Sequence, residues 1–251
     1  MNENTRKFNF EGRPVEILRR PFLRTISLRV RPSGLLRVTC GRSVGLSVIE
    51  KFLVHNRQFI ESSLGEIKKM KAKYPRPEFL SGEKLLFLGK ERTLEVIWSW
   101  KTRAQVEFLE DTIELKSSIE ATREQRQRAL AKSYESQARL HLKERLHFWS
   151  LRMGLKPSRV SFRRQRTRWG SCSSDGSISL NWKLVAAPEA VIDYVIIHEL
   201  AHLVHPNHSE RFWRLVEQFC PDRKIHSRWL KANQHHFEFL DPKSELHSVD
   251  F

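Results

Sequence analysis

Cysteine is scarce in this chain: Cys40, Cys172 and Cys220 are widely spaced, odd in number and never part of a C-x-x-C pair. That excludes a disulfide framework, fits a reducing compartment, and leaves no ligand set for a separate structural zinc. Long apolar runs are missing too. No stretch of about twenty uncharged apolar residues is present, so nothing reads as a membrane span. Residues 1–14 are polar and charged and lack the apolar stretch of a secretory signal. A soluble, cytoplasmic protein is expected. Neither an internal repeat nor a low-complexity tract is evident.

Acidic residues are in deficit: 45 Lys and Arg against 29 Asp and Glu leave a net charge of +16 over 251 residues. The bases cluster at Lys68, Lys69, Lys71 and Lys73, at Arg123, Arg126 and Arg128, and at Arg163, Arg164, Arg166 and Arg168. Such a surface attracts nucleic acid or another polyanion.

The pattern along the chain predicts an α+β protein. Residues 1–116 read as a β-rich N-terminal region with one helix, suited to substrate recognition. Alternation at Ile26, Leu28 and Val30 and again over Leu36–Cys40 gives two strands around a Pro32-Ser33-Gly34 turn. A capping box at Ser47–Glu50 opens the helix, with Ile49, Phe52, Leu53, Ile60, Leu64 and Ile67 inward. Strands follow at Leu85–Leu88, Thr93–Trp98, Val106–Leu109 and Thr112–Leu115. Residues 117–251 read as the catalytic domain. It opens with a long helix from Glu120 to Met153, capped by Gly154 and carrying one stripe of Ala131, Tyr134, Ala138, Leu142, Leu146 and Trp149. Arg159–Arg168 and Ser177–Asn181 read as strands about a Ser173–Gly176 turn, and Ser177–Leu180 is the expected edge for an extended substrate.

The chemistry concentrates in His198-Glu199-Leu200-Ala201-His202, an H-E-x-x-H motif on a helix expected over Pro188–His205. Positions i and i+4 share one helix face, so His198 and His202 can offer imidazole nitrogens to one ion. Glu199 stands about 100° round the helix, placed to take a proton from water without being a ligand. Three protein ligands and one open position is the arrangement of catalytic Zn²⁺. A third ligand must be chosen. His205 lies about 10 Å along the axis from His198, too far for one ion to join all three. His208 is the first choice if the helix stops at Pro206-Asn207, with Glu210, His205 and His226 as alternatives. The spacing matches H-E-x-x-H-x-x-G-x-x-H with His205 in place of glycine. Metzincins, which share that spacing, also need a methionine after the motif. Here Met1, Met70 and Met153 all precede it. After His208, Ser209 is placed to cap a helix bearing Phe212, Trp213, Leu215, Val216 and Phe219, which pins the third ligand from below, with Trp213 read as core.

Several longer runs carry a family resemblance: Arg166-Thr167-Arg168-Trp169-Gly170-Ser171-Cys172-Ser173, Ile178-Ser179-Leu180-Asn181-Trp182, Val191-Ile192-Asp193-Tyr194-Val195, and the stretch from His198 to Trp213. With Trp229-Leu230-Lys231, Ser27-Leu28-Arg29-Val30 and Phe87-Leu88-Gly89, the chain resembles the YgjP-like zinc metallopeptidases over nearly its whole length. More distantly it is similar to the SprT-like and WLM zinc proteases, some of which act on DNA-bound proteins. The resemblance implies a zincin core with His198, His202 and His208 as ligands and Glu199 as the acid/base residue. The expected activity is zinc-dependent peptide hydrolysis, extended by the basic charge to DNA-associated substrates. The rival reading is a nucleic-acid-binding protein whose zinc site lacks peptidase activity. For the oxyanion, Tyr194, His226, Arg228 and the Arg166/Arg168 pair are all open.

Overall fold

The computed structural model describes residues 5–31, 33–73, 77–100, 103–165, 168–233 and 237. These fall into two compact units, the second beginning at Pro77. The division does not coincide with one at residue 116, and the reason is packing. Tyr134, from the long helix, is fully buried, donates to the Leu86 carbonyl at 2.9 Å and meets Phe87 and Phe108 edge-on. The strands over residues 84–118 therefore share a core with the catalytic half.

In the first unit, β1 (Thr5–Phe10), β2 (Arg13–Arg20), β3 (Ser27–Val30) and β4 (Leu36–Gly41) form a sheet in the order β1-β2-β4-β3. Its apolar face, with Val15, Ile17, Leu36, Val38 and Cys40, is covered by α1 (Leu46–His55) and α2 (Arg57–Lys73) through Ile49, Leu53, Ile60 and Ile67. The expected capping box is absent. The helix opens two residues earlier, at Leu46, with Gly45 rather than Ser47 as its N-cap and no side-chain cap.

The second unit begins with β5 (Lys84–Phe87), β6 (Lys90–Ser99), β7 (Gln105–Phe108) and β8 (Thr112–Ser118), in the order β5-β6-β8-β7. This repeats the first sheet strand for strand: outer pairs antiparallel, central pair parallel. Both opening hairpins turn through F-x-G-(R/K), at Phe10-Glu11-Gly12-Arg13 and Phe87-Leu88-Gly89-Lys90, with both central residues at positive φ. The architecture thus contains a repeat that the sequence does not display.

The Leu88-Gly89 turn also supports the catalytic half. Leu88 N–H donates to Val185 O at 2.7 Å and Gly89 N–H to Ala186 O at 3.1 Å. A Cβ on Gly89 would stand 2.6 Å from Pro188 Cα, so both the positive φ and the close approach require glycine.

The long helix α3 (Arg123–Met153) starts three residues later than expected, because Thr122 and Gln125 form a capping box. It ends as expected on Gly154, which is left-handed at φ 65°. Next come β9 (Arg159–Arg163), β10 (Gly170–Cys172), β11 (Ser177–Asn181), a 3-10 helix (Trp182–Ala186), α4 (Glu189–Ala201), α5 (Glu210–Phe219) and α6 (Arg223–Asn233). The small sheet runs β10-β11-β9, antiparallel then parallel. Ser177–Leu180 is therefore its middle strand, with Ile178, Ser179 and Leu180 buried, and cannot be the open edge expected from the sequence. Within this sheet the edge towards the motif helix is β10.

α4 packs against α3, β10 and β11. It is apolar nearly all round, with Val191, Ile192, Val195, Ile196, Ile197, Leu200 and Ala201 buried, as suits a helix running through a core. Val204 is exposed because the helix has already ended. Arg145 on α3 holds α4 by a fork to Asp193, Nε–Oδ1 at 2.8 Å and Nη2–Oδ2 at 2.6 Å. The pair raises the guanidinium pKa further, chiefly through the hydrogen bond. With the two side chains only 22% and 14% exposed, Asp193→Ala should lower unfolding stability by about 2 kcal/mol. Urea denaturation checks this, and an unchanged midpoint would show the fork to be energetically idle.

Candidate metal centre and active site

His198 lies in the last turn of α4, and His202 is its C-terminal cap residue, at φ −65° and ψ −19°. The helix stops at Ala201, four residues before the sequence reading. The chain then tightens through Leu203 N–H to Leu200 O (3.0 Å) and Val204 N–H to Ala201 O (3.1 Å). This early turn, rather than Pro206, starts the reversal that returns His208 to the helix.

The structure brings His198, His202 and His208 together, one nitrogen from each lying within 4.8 Å of the others. Nε2 of His208 and Nε2 of His198 are 3.1 Å apart. Two nitrogens at Zn–N bonds of about 2.05 Å and a tetrahedral angle would stand about 3.3 Å apart, so the donor set fits such an ion. Nδ1 of His202 lies 3.1 Å from the His205 carbonyl. Because that oxygen only accepts, the proton sits on Nδ1 and Nε2 keeps its lone pair for a metal. Burial and the neighbouring rings push His198 down to about 3, and burial lowers His202 as well. Both are neutral lone-pair donors at neutral pH.

The other positions weighed as third ligand lie elsewhere. Glu210 is exposed and pairs with Arg214. His205 contributes its carbonyl, and His226 stands against Tyr194, ring centroids 6.2 Å apart.

Glu199 is 5% exposed, and burial pushes its carboxyl up to about 7 against the lowering influence of Arg168. Its neighbour is β10. A Cβ on Gly170 would fall 2.5 Å from Glu199 Oε1 and 2.6 Å from its Cγ. The strand thus passes directly over the carboxylate, and only glycine leaves room.

The loop leading into β10 is tied down by buried Asn181. Its amide donates to Gln165 O at 2.9 Å and Arg168 O at 3.0 Å, while Oδ1 accepts from Lys183 N–H at 3.2 Å. Gln165 reaches Ser171 Oγ at 3.2 Å. Cys172, in β10, is half-buried, and burial, Glu199 and Asp175 raise its thiol, which disfavours the thiolate.

The helix expected to pin the third ligand supplies a ring system behind all three histidines. Phe212 is fully buried and touches all three, stacking on His202 with centroids 4.5 Å apart. Trp213, read as core, is half-exposed and stacks on His208 at 5.4 Å and 18°. Ser209 caps α5 as expected, accepting from Phe212 N–H at 3.4 Å, and so fixes both rings. The signal was the run His208-Ser209-x-x-Phe212-Trp213, which puts two aromatics one turn after the third histidine.

Among the oxyanion candidates, Tyr194 is buried, with its hydroxyl raised by burial and bonded to Ser227. Arg228 is exposed and donates to Lys224 O on its own helix. Arg168 acts on Glu199 by charge, and Arg166 lies outside the described residues.

Comparison with curated proteins finds no match. Two crystal structures of metallopeptidase zymogens are similar to part of the chain. Pyrococcus abyssi abylysin is 28% identical, covering 37% of this chain and 95% of its own, with a TM-score of 0.34. Methanocaldococcus jannaschii jannalysin is 20% identical, covering 37% and 94%, with a TM-score of 0.33. The model of the YgjP-like metallopeptidase domain matches residues 24–233, well over half of a chain whose motif helix, three converging imidazoles and buried glutamate lie within that span. The chain belongs to the YgjP-like metallopeptidase family.

Proposed function

We propose that this metallopeptidase is zinc-dependent, with His198, His202 and His208 as ligands and Glu199 as general base. The observation that carries the reading is the convergence of three imidazole nitrogens within 4.8 Å beside a carboxyl buried at 5% exposure. Zinc bound there would supply Lewis acidity, polarising the scissile carbonyl and bringing the pKa of water towards about 7. Glu199 takes the proton of the attacking water and returns it to the leaving amine. A carboxyl already near neutrality is suited to both halves of that transfer. His202, fixed by the His205 carbonyl, and Phe212 behind the rings hold the ligands in place. β10, as the sheet edge over Glu199, is positioned to pair with an extended peptide and bring its carbonyl to the metal.

The +16 charge extends the proposal to DNA-associated protein substrates, with the N-terminal unit contributing to their recognition. Three free cysteines, and no described helix long and apolar enough to cross a membrane, fit a reducing cytoplasmic setting.

One experiment tests metal and partner together. Protein stripped by chelation should lose hydrolysis of an unstructured protein such as casein and regain it with one equivalent of zinc. Duplex DNA should bind with an affinity that falls steeply between 50 and 200 mM salt. Hydrolysis that survives stripping would end the zinc reading. Salt-steep DNA binding without hydrolysis at any zinc level would favour the nucleic-acid-binding alternative.

A further inference from the structure

Of the three histidines only His208 lies outside the motif helix and its cap, and it is the exposed member of the set. His202 has its ring fixed by a main-chain carbonyl. His208 has no such anchor: among the described residues its one hydrogen-bonding contact is the approach of its Nε2 to His198. A ligand on a surface loop must be oriented by something else, because a ring free to rotate would give up rotamer entropy on every binding event.

The structure supplies a stack. The Trp213 indole lies nearly parallel to the His208 imidazole, 18° between planes and 5.4 Å between centroids. The guanidinium of Arg223 lies over the Trp213 ring, its Cζ 4.1 Å from the centroid. Arg223 is fixed in turn by Glu217, Nε to Oε1 at 2.8 Å. Trp213 and Glu217 are i and i+4 on α5, so one helix face presents both the ring and the carboxylate that clamps its cation. Arg223 opens α6, so the clamp also ties the two helices together. Phe212 closes the other approach, edge-on to His208 at 4.9 Å and 88°.

We propose that Trp213, clamped by the Arg223–Glu217 pair, is a positioning residue that pre-orients His208 for the metal. It acts through the imidazole it stacks on; its contact with His198, centroids 5.7 Å apart and tilted by 57°, is the looser of the two. The planar guanidinium is part of the device, since a lysine would bring charge without a surface to stack. The proposal rests on the reading of His208 as a ligand, and its test separates the two.

The test is the zinc affinity of the full chain, measured with zinc alone against a competing chromogenic chelator, alongside the thermal midpoint of the metal-free form. Trp213→Leu should weaken zinc 10- to 100-fold, the range found when groups that orient metal ligands are removed. Trp213→Phe, which keeps a ring for stacking, should recover most of that loss. Arg223→Gln should weaken zinc several-fold, with a modest fall in the metal-free midpoint because the tie to Glu217 between the two helices goes with it. Should Trp213→Leu fail to fold, Arg223→Gln and Trp213→Phe decide the matter. Wild-type affinity in Trp213→Leu and Arg223→Gln, with His208→Ala losing zinc, would overturn the stack and leave the ligand reading standing. Unchanged zinc binding in His208→Ala itself would overturn both.

Discussion

Glu199→Gln should hold its zinc and lose about 10²- to 10⁴-fold in kcat, the usual worth of a positioned general base. Glutamine has the same shape, and the 5% exposure and close cover of Gly170 leave little room for the side chain to move. The variant should therefore fold and pack as the parent does, with the loss confined to proton transfer. Metal content by atomic absorption, with kcat and KM on an unstructured protein substrate, separates the possibilities. A fall in kcat at constant zinc and near-constant KM is the expected pattern. Glu199→Asp should be nearly as damaging: it keeps the acid but withdraws it by one methylene, and about 1 Å of misplacement is enough for about 10². A fully active Glu199→Gln protein that still holds zinc would remove this residue from the proposed chemistry. The trapped variant has a second use. Loaded with zinc, with and without DNA, it should retain the protein it cannot cut.

How much of this arrangement is legible in the sequence depends on what each feature rests on. Periodicity is local, so α3 with its Tyr134 stripe, the strands of the second sheet and the Ser209-capped helix could all be read directly. The convergence of His208 with the motif pair could be read as well, because the distance along a helix axis eliminates His205 without any tertiary knowledge. Features that depend on pairing could not. β1 and β2 carry only a few apolar residues, Val15 and Ile17 among them, between charged neighbours, and they become strands because they pair with each other and β2 pairs with β4. The order β10-β11-β9 follows from a parallel pairing across an intervening strand, whereas reading outward from the Ser173–Gly176 turn makes Ser177–Leu180 an edge. The repeated sheet is hidden for the same reason. Its two copies share a strand order and one turn, and almost no side chains. The Trp213–Arg223 contact joins two helices through a stack, which leaves no period in the sequence.

Gly170 is the position where that hidden register should cost most. Gly170→Ala adds one methyl group, whose carbon would lie 2.5 Å from Oε1, 2.6 Å from Cγ and 2.8 Å from Cδ of Glu199. Ordinary carbon contacts need about 3.5–4 Å, so something has to give by about 1 Å. α4 cannot, since its neighbours Ile196, Ile197 and Leu200 are 1% exposed or less. Either the carboxylate rotates away or β10 lifts off it, and both separate the proposed base from the proposed peptide-binding edge. The expected result is a fall in activity of about 10² and a loss of about 1–3 kcal/mol in stability from overpacking. Zinc affinity should change far less, because the three atoms nearest the added carbon all belong to Glu199 and none to a histidine. Gly65→Ala is the matched control: that glycine is mid-helix in α2 with nothing within 4 Å of an added Cβ, and alanine there should stabilise by about 0.5–1 kcal/mol. If Gly170→Ala instead kept full activity, the carboxylate would have to work from a position other than the one it occupies under β10, and the pairing of substrate along that strand would fall with it.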